Sequence, residues 1–344
     1  MMMISEIAIT IDDLTTTGAL KALQLDWLRL WSRCPGATPF QSPGWLIPWW
    51  EHFGQGELRL LTLRHEGRLI GLAPFSISKA SGSPVKRVLL MGTGISDYLD
   101  VLIEPEFEQA GLTAIITYLD SIRPYWDMCD FQQLRPQSPL LRAESGIWSD
   151  TLILQDPCPV LPLPAAGKNL HESYSPHLSQ NLHYYRHRAE KMGPVTIERA
   201  DRSNFDELFT SFIRLHNERW QSNGGHGLLT DTDVQNFYRD AALNLLEAGV
   251  LRLYALRLGC RMAACLYGFI HKGRFYYYLG GFDPAFRGLS PGTLLIGLVM
   301  EEAILQGATE FDFLRGQETY KYRWGAKDQP NYNRQWRQES IEWP

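Results

Sequence analysis

The densest run of side chains able to do chemistry is EFDFLRGQETYKYRWGAK, residues 310–327. Phe311 and Phe313 flank Asp312 with the alternation of a strand, and the run then sets Arg315, Gln317, Glu318, Lys321 and Arg323 among Tyr320, Tyr322 and Trp324. Such a cluster at a strand end suits a pocket wall, where aromatic faces stack on a ring and charges orient it. A second run, LGGFDPAFRGLSPGTLLIG, residues 279–297, reads as the start of a helix: Ser290 can cap it, Pro291 suits its first position and Gly292 keeps the first turn bare. A bare helix start offers unpaired N–H groups and a partial positive charge to a phosphate, and Arg287 adds a formal charge three residues upstream. Gly280 and Gly281, ending the preceding strand RFYYYLGG, permit a bulge or the close approach of a ligand. A third group, His216, Glu218, Arg219 and Trp220, closes the helix FDELFTSFIRLHNERW just before the glycine-rich SNGGHG.

The elements that must position these residues are legible through an internal repeat. LRLLTLRHEGRLIGLAPFSI (58–77) lies without gaps on LRLYALRLGCRMAACLYGFI (251–270), and each reads as a hairpin turning near Gly67 or Gly259. CDFQQLR (129–135) echoes EFDFLRG (310–316), each following a probable helix. Both halves therefore run helix, hairpin, strand, helix, strand, which implies an α/β or α+β fold with helices on a mixed sheet. The stretch QDPCPVLPLPAAGK, with four prolines, reads as a linker, so the expected domains are 1–155 and 169–344 with a Pro-rich linker over 156–168. The helix-like HLSQNLHYYRHRAEKMG that follows carries Arg186, Arg188 and Lys191, either a rim for an anionic substrate or the solvated face of an amphipathic helix. Where the second half has its phosphate-type helix start, the first has MGTGISDYLDVLIEPEFEQ, whose Asp97, Asp100, Glu104, Glu106 and Glu108 would repel a pyrophosphate. Only the second half is expected to keep a phosphate site.

Bulk composition narrows the class. With 344 residues, 44% apolar and 21% charged residues and a formal charge of −5, the chain has the profile of a globular protein without the basic excess that attracts nucleic acid. Five cysteines without a C-x-x-C pair read as reduced thiols, and nine scattered histidines form no metal-ligand pattern, so no metal is expected. The N-terminus lacks the charged lead and apolar middle of a signal peptide, and a cytoplasmic location is expected.

With these motifs in hand, the chain resembles the GNAT superfamily of N-acyltransferases, in its FemAB-like, cellulose-biosynthesis (CelD/BcsL-type) branch. The resemblance runs from PFQSPGWLIPWWEHFG (39–54) through YYYLGGFDP (276–284) and LSPG (289–292) to FDFLRGQETYKYRWG (311–325). It implies a tandem duplicated pair of GNAT-like domains, the first degenerate, with acetyl-CoA or another acyl-CoA slotted between strands of the second that splay near Gly281 and Arg315. In the family a loop of pattern Arg/Gln-x-x-Gly-x-Gly/Ala holds the coenzyme A pyrophosphate; here Arg287, Ser290 and Gly292 occupy it, serine replacing the middle glycine. Gly280, Gly281, Phe282, Gly288 and Thr293 would complete that cofactor site. The family's Lys-x-x-x-Gly segment is matched by Lys321 and Gly325, which implies that the lysine stabilises a developing oxyanion.

The implied activity is acyl transfer to nitrogen or oxygen of a sugar, amino sugar or cell-envelope polysaccharide precursor, with peripheral association with that machinery. Such chemistry needs a base, an acid for the leaving thiolate and a pocket for the acceptor. Glu318, desolvated by its aromatic neighbours, is the expected base, with Asp312 and His216 as alternatives, and Tyr320 is the expected acid. Arg315, Gln317, Tyr322, Arg323, Trp324 and Trp220 are expected to line the acceptor pocket. None of the cysteines sits beside a convincing base, which argues against a covalent acyl-enzyme. Two rivals stay open: an aminoacyl-tRNA-dependent FemAB-like transferase, and a glycan-binding scaffold without catalysis.

Overall fold

The structure, a computed structural model, describes residues 8–338 except positions 81, 145, 147, 168, 169, 171–173, 175, 223 and 226. The chain divides into two compact units, Met1–Gln155 with Pro330–Pro344, and Asp156–Gln329.

In the first unit, strand β1 (Thr10–Leu14) is followed by helices α1 (Thr17–Ala22), α2 (Gln24–Arg33) and α3 (Pro43–Phe53). The hairpin β2 (Glu57–His65) and β3 (Arg68–Lys79) leads into β4 (Lys86–Leu90), the short β5 (Leu102–Ile103), α4 (Glu108–Ser121), β6 (Met128–Leu134) and α5 (Pro139–Arg142). Strand β7 (Ser149–Pro162) carries the chain onward. The second unit contains α6 (Pro176–Glu190), β8 (Val195–Arg199), α7 (Phe205–Ser222) and α8 (Thr232–Glu247). The hairpin β9 (Leu251–Leu258) and β10 (Arg261–His271) follows, then β11 (Arg274–Phe282), α9 (Pro291–Leu305), β12 (Glu310–Asp312) and α10 (Thr319–Arg323). Strand β13 (Lys327–Arg337) ends the described chain.

The repeat seen in the sequence is a repeat of topology. Strand order is β1-β2-β3-β4-β6-β13 in the first unit and β8-β9-β10-β11-β12-β7 in the second. All pairs within these orders are antiparallel except β4 with β6 and β11 with β12, the two joined across a helix. The last strand of each unit comes from the segment that follows the other unit's final helix. Thus residues 330–344, expected in the second domain, belong to the first: β13 pairs with β6 from Tyr332 to Arg337, and Trp336 is fully buried against Phe131 and Trp148. The expected linker is likewise corrected in part, because residues 156–162 are the second half of β7, of which Val160, Leu161 and Pro162 pair with β12. Proline removes a donor but keeps its acceptor: Phe313 N–H donates to Pro159 O and Gly316 N–H to Pro157 O.

The second unit is layered by the two periods of its sequence. Tyr254, Leu256, Leu266 and Tyr277 point from the sheet into a core with α6 and α9. Tyr267 faces the other way, onto Phe212 of α7 and Tyr238 of α8. Helix α9 is mostly apolar and is buried through Leu295, Val299, Met300 and Ala303, while Glu301 and Leu305 near its end are exposed. Each large side chain so buried contributes about 1.5–3 kcal/mol, which fixes the start of α9 against the ends of β10 and β11.

Candidate functional site

Strands β11 and β12 pair over only three registers, ending at Tyr276 and Asp312, while β11 runs on to Phe282. Beyond that point β11 continues without β12, and a cavity of about 250 Å³ lies along it. Tyr277, Gly280, Gly281 and Phe282 line it from β11, Ser290 to Thr293 from the start of α9, Arg219 from α7, and Tyr320 from α10. The register between β10 and β11 shifts at Tyr267/Gly268, which places the extra residue at Tyr278 rather than at the glycine pair where the sequence suggested a bulge. The glycines serve close approach instead. A Cβ on Gly281 would sit 2.3 Å from His216 N, so only glycine lets β11 lie this close to the backbone of α7.

The helix start is built by its preceding turn. Asp283 accepts from Ala285 N–H (2.9 Å), the turn Pro284–Leu289 follows, and Ser290 N–H donates to Arg287 O. Ser290 then takes a left-handed conformation (φ 47°, ψ 52°) and its side chain makes no cap hydrogen bond, contrary to the capping role expected for it. The positive φ falls at the very position where the pattern of the resembled family has glycine. The first backbone N–H with an intrahelical acceptor is that of Leu294, on Ser290 O (3.1 Å); those of Gly292 and Thr293 precede it and Pro291 has none. Two guanidinium groups stand beside this end. Arg287 donates to Ser222 Oγ (3.1 Å), and Arg219 donates to Gly280 O (3.1 Å) with its charge 6.0 Å from the Phe282 ring centre. From α6, Arg188 donates to Gly288 O (3.3 Å), so the basic helix face reaches the same loop.

A second cavity of about 280 Å³ shares Ser290, Thr293 and Tyr320 with the first and is otherwise lined by His177, Leu178, Asn181 and Tyr185 of α6 with Arg323 and Trp324. Tyr320 therefore stands between the two. Burial holds its phenol well above the usual tyrosine range, with Tyr277 beside it adding to the effect, so it keeps its proton at neutral pH. Trp324 is fully buried, edge-on to Tyr174 and against α9 at Gly297, so it is core as well as wall.

Other expected site residues stand elsewhere, each for a physical reason. QETYKYRWG is no extension of a strand: α10 occupies Thr319–Arg323, and its spacing turns Tyr320 and Trp324 inward. Lys321 is nearly wholly buried and lines neither cavity. Its ammonium donates to Leu314 O (3.1 Å), Arg315 O (2.7 Å) and Gly316 O (3.1 Å) and pairs with Glu318 (2.9 Å), so no donor is left for an oxyanion. Glu318 is not desolvated; its side chain is 57% exposed and held by Lys321. Asp312 is wholly buried, paired with Arg274 and accepting from Leu314 N–H (2.8 Å), which makes it a structural acid. His216 is buried outside both cavities with one ring nitrogen on Gly280 O (3.3 Å) and Nε2 unpartnered; burial lowers its pKa to about 4, so it stays neutral. Arg315, Gln317 and Tyr322 line neither cavity, and Tyr322 donates to Asp328 (2.8 Å). Trp220 lies 43% exposed at the end of α7. Cys265 borders the first cavity, but burial pushes its thiol up to about 12, away from nucleophilic use.

Sequence reasoning missed Tyr277, His177 and Asn181, and it singled out Arg219 without giving it a role. For Arg219 a signal existed: it follows Phe212 and Leu215 on the buried face of α7 at helical spacing. For His177 and Asn181 none did, because their place depends on how α6 packs on α9. Among the described residues no group of three or more histidine, cysteine or acidic side chains could hold a metal ion, and no helix is long and apolar enough to cross a membrane.

Residues 177–322 match the profile of a family described as an acetyltransferase (GNAT) domain. The fold is GNAT-like. Across both units the chain superposes on the crystal structure of FemX with a TM-score of 0.67 at 12% identity, covering 94% of this chain and 96% of that one. The C-terminal domain of a putative lysylphosphatidylglycerol synthetase from Agrobacterium fabrum gives 0.60 at 11% identity, covering 94% and 93%. L-PGS from Bacillus licheniformis gives 0.54 at 13%, covering 86% and 92%. At such identities the likeness is one of fold. No curated protein matches the chain. The profile falls within the second GNAT-like unit, whereas the likeness of fold spans both.

Proposed function

We propose that the second GNAT-like unit binds an acyl-CoA, acetyl-CoA in the first instance, and that the protein is an acyltransferase. The observation that carries this is the convergence, at one cavity, of the end of β11 beyond its pairing with β12, the N–H groups of Gly292 and Thr293, and the guanidiniums of Arg219 and Arg287. A diphosphate fits that end because backbone donors and two formal charges face it, and the apolar side chains of Leu266, Ile296 and Phe282 suit the thin chain of a pantetheine. When bound, the thioester would supply the activated acyl group. Tyr320, protonated and bordering both cavities, would give its proton to the departing thiolate. An acceptor entering the second cavity would meet Arg323, Asn181 and the rings of Tyr185 and Tyr320, a lining suited to a sugar or amino sugar, and His177 is the imidazole there able to take its proton. The narrower kinship with the cellulose-biosynthesis branch rests on the motifs YYYLGGFDP, LSPG and FDFLRGQETYKYRWG.

A second reading, an aminoacyl donor, is favoured by one finding: the folds that match both units include FemX and a domain of a putative lysylphosphatidylglycerol synthetase. One experiment separates the two. Coenzyme A at about 100 times its Kd should stabilise the folded protein by about 2.7 kcal/mol, read as a rise in Tm, and Arg287→Glu should remove most of that rise. No shift with millimolar coenzyme A or acetyl-CoA, together with a shift on adding aminoacyl-tRNA, would overturn the first reading in favour of the second.

A further inference from the structure

The first unit, expected to be degenerate, has a cavity of its own. It measures about 240 Å³ and lies between the C-terminal end of α2, the segment Asp100–Ile103 with the start of α4, and the loop after β6. Its charged lining is Asp100, Glu108, Arg135 and Arg142. Two of these are spoken for: Arg142 Nε and Nη2 donate to the two oxygens of Glu108 (2.9 and 2.8 Å) and its Nη1 to Gln137 O (2.9 Å). The other two are not. Arg135 gives one nitrogen to Gly36 O and rests 5.2 Å from the Tyr98 ring centre, with no carboxylate in ion-pair range among the described residues.

Asp100 is the unusual member. It is 94% buried, and its Oδ1 accepts from Ser138 Oγ (2.8 Å) and from Val101 N–H (2.9 Å), while Oδ2 has no protein donor among the described residues. Oδ2 is not sealed from solvent, and Asp100 lines the cavity. Ser138 is itself anchored, accepting from Leu140 N–H (3.1 Å), so the carboxyl is held in one orientation. The remaining wall is largely apolar, with Val101, Leu102, Ile103, Pro105 and Pro139.

We propose that this cavity is a binding site for a small zwitterion, the ligand's ammonium on Asp100 and its anionic end at Arg135, an α-amino acid being the simplest molecule of that chemistry. The cavity is smaller than the ~300 Å³ at which pockets for drug-sized ligands begin, which restricts the ligand to one such unit. The site is independent of the proposed acyl-donor cavity in the second unit. Its pH dependence follows from the carboxyl: burial pushes Asp100 up to about 7, against the partial opposition of its hydrogen bond from Ser138 and of the charges of Arg135 and Arg142. The ammonium pairs with the ionised form, so affinity should climb as pH rises through 7 and level off above it. The other charged or titratable groups of the lining are Arg135, Arg142, Glu108, which is tied to Arg142, and Cys34, buried at the cavity edge.

The test is the Tm of the full chain with each standard amino acid in turn at ~10 mM, at pH 6 and pH 8, beside the corresponding N-acetyl amino acids. At least one amino acid should raise Tm by a few degrees at pH 8 and by less at pH 6, its N-acetyl form should have no effect, and Asp100→Asn should abolish the rise. Absence of any shift from the whole set would overturn the proposal. So would an N-acetyl form that binds as well as its parent, a result read on the unaltered protein and therefore independent of whether Asp100→Asn folds.

Discussion

Lys321 shows at the residue scale how a charged side chain inside a motif can be consumed by structure. Leu314 (φ 56°) and Gly316 (φ 108°) turn the chain sharply after β12, which gathers three carbonyls at one point, and the ammonium satisfies all three. Replacing it by methionine keeps the buried stem and removes the donors. Lys321→Met should therefore cost on the order of 2–4 kcal/mol of stability by denaturant unfolding, since hydrogen bonds to a charged group contribute about 1.5–3 kcal/mol each and are lost together. Unchanged stability with lost activity would instead return the lysine to an oxyanion role. Ser290 gives the complementary case. A non-glycine residue at φ 47° is strained, so Ser290→Gly should leave the fold intact and stabilise it by up to about 1 kcal/mol, without loss of the coenzyme A-dependent rise in Tm. A large drop in stability would mean that the serine hydroxyl does more than occupy the turn.

At the scale of elements, the site exists because two strands stop pairing and one helix begins where they part. Beyond its last bond to β12, β11 is held by its pairing with β10 as far as Phe282 and by its contact with α7 at Gly281. Gly281→Ala would press a methyl into the backbone at His216, so about 1–3 kcal/mol of stability should be lost, with the ligand-induced shift weakened because Gly280, Phe282 and Arg219 move with it. Gly288→Ala is the control: nothing lies within 4 Å of its Cβ position, and the change should stay within about 0.5 kcal/mol. Equal effects of the two substitutions, measured by thermal unfolding, would show that the packing of α7 on β11 does not hold the cavity open.

For the whole molecule, the exchange of last strands decides where the chain can be cut. A fragment ending at residue 155 lacks β13, and with it Trp336, from the centre of its core. Circular dichroism and limited proteolysis should find residues 1–155 unfolded alone, and folded once residues 330–338 are fused to them, whereas residues 156–329 should fold and keep the coenzyme A response. A cooperative unfolding transition from residues 1–155 by themselves would remove the exchanged strand from any essential part in that unit.

Order of elements, the duplicated hairpins and the bare start of α9 were all legible in the sequence, because each is written in residues a few positions apart: an alternation, a turn glycine, a Ser-Pro-Gly start. Which of the charged groups remain free for chemistry was not. Lys321, Glu318, Asp312 and His216 have the types a catalytic set requires, and each is withdrawn by burial or by partners that only the turn after β12 and the packing of α7 bring near. Arg219, His177 and the lone oxygen of Asp100 come forward for the same reason. Their chemistry is set by neighbours distant in sequence, whose approach is decided when the helices close on the sheets.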